Sequence, residues 1–123
     1  MAATTAGAAP VKWFCEIPEG KAPAGIAPDY LITYDRGIGE ALVADGVIMK
    51  VKKAPIPAKV SQKGEKLVLS WIVTGIPSRN AITYSARFSL SINEKTKAMQ
   101  VDYKTLGYDN FPQSARGTCR TVK

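Results

Sequence analysis

The sequence has no histidine among its 123 residues. That absence removes the only side chain that titrates near neutrality unperturbed, and with it every Ser-His, Cys-His and His-metal arrangement. Cysteine is nearly absent too, with Cys15 and Cys119 alone and no Cys-x-x-Cys spacing to activate a thiol. Transition metals therefore have no ligand set. The acids Asp29, Asp35, Asp45, Asp102 and Asp109 are scattered, and no loop carries the alternating Asp/Asn pattern of a calcium site. No apolar run approaches the roughly 18 to 20 residues that span a bilayer, and the longest, Leu67 to Val73, is broken by Ser70. No window of eleven or more residues carries a 3.6-residue apolar stripe, so helix should be scarce. No catalytic constellation, metal site or cofactor motif remains: Glu16 with Asp35 or Glu40 could in principle form a carboxylate pair, but surface acids account for them, and Gly37 and Gly39 precede no helix that could hold a phosphate.

What the sequence does contain is alternation with period two. From Ile82 to Ile92, the residues Ile82, Tyr84, Ala86, Phe88, Leu90 and Ile92 point one way, and Thr83, Ser85, Arg87, Ser89 and Ser91 the other. Lys66 to Thr74 is a matching strand, with Leu67, Leu69, Trp71 and Val73 on one face. Tyr30 to Asp35 and Ile38 to Ala44 flank Arg36-Gly37, and Asp45-Gly46 reads as a type I′ hairpin leading into a strand from Val47 to Lys52. Pro55 and Pro57 confine Ala54 to Gln62 to an edge or an extended connector. Val101 to Lys104 and Thr118 to Val122 complete the set, with Gly20 to Pro28 and Thr105 to Gly117 as long connections. Residues 1–10 are a small-residue tail, expected to be mobile, and 11–123 form one domain. The expected fold is all-β: a single-domain antiparallel meander barrel of about eight strands, of lipocalin or streptavidin size. A two-sheet β-sandwich is the alternative.

Cys15 and Cys119 fall in the first and last strand-like segments, where a disulfide would join the two ends of the fold. Two buried free thiols are the alternative, and the disulfide implies an oxidising compartment, periplasmic or extracellular. The small-residue N-terminus resembles the stretch that follows a signal-peptide cleavage site.

Lysines and arginines exceed acids by 17 to 10, a net charge of +7. Lys50, Lys52, Lys53, Lys59, Lys63 and Lys66 cluster with only Glu65 against them, a candidate contact for an acidic protein, a lipid headgroup or a polyanion; lysines that blunt an edge strand would look the same. Arg116, Arg120 and Lys123 make a second basic group. The first run contains no aromatic residue, which argues against stacking on single-stranded nucleic acid. Trp71, Tyr84, Phe88 and Tyr34 would line a cavity for a small apolar ligand, or else form part of the core. The expected function is a non-enzymatic periplasmic or secreted binding protein with a basic face. The alternatives are a carrier of an apolar ligand and an inhibitor or assembly subunit that inserts the tail or the Thr105 to Gly117 loop into a partner.

The segment Leu106-Gly107-Tyr108-Asp109-Asn110-Phe111-Pro112-Gln113-Ser114-Ala115-Arg116-Gly117-Thr118-Cys119, with Phe14-Cys15 and Leu69-Ser70-Trp71, resembles a group of small exported bacterial proteins to which no activity is attached. That resemblance implies export and a Cys15–Cys119 bond. The barrel shape is similar to that of lipocalins, but their Gly-x-Trp signature is missing, since Val11 and Lys12 precede Trp13.

Overall fold

In the computed structural model, which describes residues 10–23, 25–77, 82–107 and 113–122, the chain is a closed antiparallel barrel whose eight strands follow one another in sequence order. The strands are β1 (Val11–Glu16), β2 (Asp29–Asp35), β3 (Glu40–Ala44), β4 (Ile56–Lys63), β5 (Lys66–Pro77), β6 (Thr83–Asn93), β7 (Ala98–Thr105) and β8 (Gln113–Val122). The tail 1–9 and the segment 108–112 lie outside the described residues, as does Lys123. The meander barrel expected from the alternation is therefore the fold.

Two local expectations are corrected. Asp45-Gly46 does not turn a hairpin; Asp45 caps a short helix, α1 (Gly46–Lys52), its carboxylate accepting the Ile48 N–H at 2.7 Å. Lys53 ends the helix in the left-handed region and donates its N–H to the Met49 carbonyl. A seven-residue helix is unstable alone, and this one is held by tertiary packing: Ile48 is fully buried and Val51 lies 3.8 Å from where a side chain at Gly75 would begin. The closing strand, second, begins at Gln113, so Arg116 and Gly117 belong to β8 and not to a loop.

The barrel closes where β1 pairs with β8. Cys15 stands opposite Cys119 and the two form a disulfide across 104 residues of sequence. Gly117 is the neighbouring close approach: a Cβ there would overlap the Glu16 carbonyl, so no side chain fits. An intramolecular disulfide suits a protein outside the reducing cytoplasm. Among the described residues, no helix is long and apolar enough to cross a membrane.

Inward-facing residues fill the interior. Tyr30 of β2 meets the edge of Trp71 of β5 at 6.1 Å, Trp71 stacks on Phe88 at 5.5 Å, and Phe88 tilts against Tyr103 at 5.2 Å. This aromatic series crosses the barrel from one wall to the other, and each ring pair contributes about 0.5 to 1.5 kcal/mol beyond area burial. At one end the turns are tight, and Arg36 of the β2–β3 turn pairs with Glu94 of the β6–β7 turn, halfway round the strand order. Gln62 donates to the same carboxylate at 3.0 Å, and the Glu94 N–H reaches the Glu65 carbonyl. At the other end, α1 and the β1–β2 loop lie over the mouth, with Ile17, Ile26, Ala27 and Ile48 buried. Gly25 presses on Tyr103 there, a Cβ at that position falling 2.8 Å from the ring.

Removing the cross-link in a Cys15→Ala/Cys119→Ala protein should cost about 4 to 5 kcal/mol, as expected for a loop of roughly 100 residues in the chain-entropy model; urea unfolding of both forms measures it, and a loss below about 1 kcal/mol would show that the barrel closes without the bond. Burial pushes the Glu94 carboxyl up, but hydrogen bonds from Arg36 and Gln62 and the charges of Arg36 and Lys97 outweigh it and hold its pKa below the usual carboxylate range. The folded state thus favours the Glu94 anion, which stabilises the barrel above the ordinary pKa of 4.5 and ceases to do so as pH falls through the lowered value. Thermal melts from neutrality into acid should show the wild type losing more stability than Glu94→Gln; parallel curves would exclude the contribution.

Candidate functional site

The outer wall carries a groove of about 960 Å³, and its origin is a change of partner by β4. Residues Ile56 to Ala58 pair with β3, whereas Lys59 to Lys63 pair with β5. Pro57 has no N–H to donate, so a strand gripped on both sides there would lack a ladder bond. Beyond Ser70, β5 pairs with β6 alone, and α1 covers the part of β5 that β4 leaves, with the Lys52 ammonium donating to Thr74 Oγ1 at 2.8 Å. The expectation that Pro55 and Pro57 mark an edge or connector is half met: this segment is a paired strand, but its pairing shifts sides beside Pro57.

Two rows of outward side chains cross the groove at right angles to the strands. Thr33 stands opposite Leu42, Leu42 opposite Pro57, and Ile72 opposite Arg87; extending the β4–β5 register places Pro57 across the gap from Ile72. The second row runs Asp35, Glu40, Lys59, Ser70. All nine line the groove, joined by Ile38 from the β2–β3 turn. The middle is apolar and open to solvent, with Ile38 65%, Leu42 45% and Ile72 46% exposed. The carboxylates lie at the β2–β3 end, and the cations Lys59 and Arg87 lie towards β4 and β6.

The six lysines do not share a face. Lys50 and Lys52 are on α1 and Lys53 caps it, Lys59 sits mid-wall in the groove, and Lys63 pairs with Lys66 at the tight-turn end. From Ile56 to Lys63, β4 spans roughly 23 Å, which separates the helix lysines from Lys63 and Lys66. Of the six, Lys59 alone lines the groove.

The four aromatics assigned to a ligand are inward-facing. Trp71 and Phe88 stack on each other, and Tyr34 stacks on Trp13 at 6.2 Å. Tyr84 lies farther along β6, half-buried, and burial, then the Tyr103 hydroxyl, push its pKa up to about 12. Trp71 also borders the groove from behind.

Among the described residues, the Tyr30 hydroxyl and Trp71 Nε1 are buried without a hydrogen-bond partner. The Tyr30 ring is fully buried. Burial and then the Asp45 carboxylate raise its pKa, and the Ala27 backbone acts in the opposite direction. Asp45 is itself buried, and its pKa is raised by that burial against the opposing bonds of its helix cap. No signal in the sequence marked Tyr30 or Asp45 as such a pair.

Among the described residues, no group of three or more acids or cysteines gathers as a metal site. Compared with family models, curated proteins and solved structures, the chain matches none.

An unpartnered buried hydroxyl costs about 1 to 3 kcal/mol of desolvation. Tyr30→Phe should therefore hold or raise stability in urea unfolding, and a loss above about 1 kcal/mol would show that the hydroxyl is bonded in solution.

Proposed function

We propose that this chain is a non-enzymatic binding protein of the periplasm or the cell exterior, and that it docks a net acidic partner on the outer wall of the barrel. The observation that carries this reading is the groove at the β4 partner change, where three large apolar residues stay exposed beside charged ones. Exposed apolar surface rimmed by polar groups is the usual mark of an interaction site. The protein's net charge of +7, with Lys59 and Arg87 lining the groove, favours encounter with an acidic partner. The disulfide supports an oxidising location. The absence of histidine and the engagement of both cysteines in the disulfide support a role without catalysis.

A photoreactive benzophenone side chain installed at Ile72, and separately at the exposed Lys104 on β7, tests the docking face in the native host. Irradiation should give a discrete adduct from position 72 and none from 104, and its yield should fall when cells are broken and irradiated at high salt. Equal labelling from the two positions, or none from 72, would overturn the reading.

A further inference from the structure

The groove also specifies the chemistry of what lies in it, an inference that rests on the docking reading above. We propose that it holds an extended peptide segment laid across the strands, with a basic residue against Asp35 and Glu40, apolar side chains over Leu42, Pro57 and Ile72, and an acidic residue against Arg87.

Length sets the scale. From Thr33 to Arg87 the row crosses three paired inter-strand intervals and the open Pro57–Ile72 step, roughly 19 Å or more, which an extended chain covers in about six or seven residues. Charge sets the direction. The Asp35 carboxylate caps the Gly37 N–H, and Glu40, Lys59 and Arg87 have no ion-pair partner among the described residues. Carboxylates at one end and guanidinium at the other reject a polyanion, which would meet like charge at Asp35 and Glu40. They also give no reason for a purely apolar ligand. Shape excludes a second copy seated symmetrically, because a concave wall set against itself leaves its apolar centre unfilled, whereas a single extended strand is narrow enough to enter. Extended peptides docked in a surface groove are a recurring mode of recognition, and here the closed barrel offers no sheet edge, so the side chains along the groove carry the specificity.

The probe is a library of random seven-residue peptides displayed on phage, selected on the full-length oxidised protein and counter-selected on its Arg87→Glu variant. Arg87 is exposed on the outer wall, so the variant should fold, and near-ultraviolet circular dichroism checks it. Selection should enrich sequences with Lys or Arg near one end, an apolar centre, and Asp or Glu near the other. A synthetic consensus peptide should bind Arg87→Glu about tenfold more weakly, the size of roughly 1.4 kcal/mol, and a peptide with its acidic residue changed to lysine should recover that loss. Enrichment without the charge pattern, or equal binding to the variant, overturns the inference. So does concentration-dependent dimerisation in sedimentation that Ile72→Asp abolishes, which would make a second copy the occupant. If the photoadduct from position 72 forms while no consensus peptide emerges, the docking face stands and the extended peptide falls; if neither appears, both fall.

Discussion

Closure of the sheet between β1 and β8 is the constraint on which the rest depends. An open eight-stranded meander would present two free edges, and each edge is a template for association. Here the first and last strands pair over five positions, and the disulfide lies within that ladder, one position from its Glu16–Thr118 end. The close contact has a sequence cost at Gly117, where β8 passes the Glu16 carbonyl too tightly for any side chain. Closure fixes the circumference, the circumference fixes how many large side chains fit inside, and Tyr30, Trp71, Phe88 and Tyr103 supply that volume.

The second constraint is local and begins with Pro57. A strand that gives its first three residues to one neighbour and its last five to the other must veer between them. That veer leaves a stretch of β5 uncovered on one side, and the connection preceding β4 is what fills it. This explains a helix in an otherwise all-strand chain: Asp45 starts it, Ile48 anchors it in the mouth of the barrel, and Lys52 ties it to Thr74. The groove is the part of the same gap that the helix does not reach.

Strands such as β6 were legible in the sequence because alternation over eleven residues has one physical meaning on a half-buried sheet. Cysteines in the first and last strands likewise pointed to the observed staple. The helix was not legible, because Asp-Gly suits an N-cap as well as a tight turn and Val47 to Lys52 is too short to display a 3.6-residue period. The basic run misled for a different reason: lysines adjacent in sequence were carried by a helix, a strand and a hairpin to places along the whole wall. The groove was hidden by the reverse effect. Leu42, Pro57, Ile72 and Arg87 recur every fifteen residues, a spacing that acquires meaning only once the register is known.

The surfaces left for recognition follow from what is already filled. The cross-section is occupied by an aromatic series reaching from β2 to β7. One mouth is spanned by Arg36, Glu94 and Gln62, and the other is packed by α1 and the β1–β2 loop. A ligand entering the barrel would have to displace stacked rings or break the ion pair, each at a cost in stability. The wall at β4 requires neither, since its apolar side chains are already in water and its charges are already unpaired among the described residues. Covering Leu42 and Ile72 there would gain about 25 cal/mol for each Å² of apolar surface without opening the core. Binding on the outside thus leaves the packed aromatic series in place and uses the irregularity that one proline introduces.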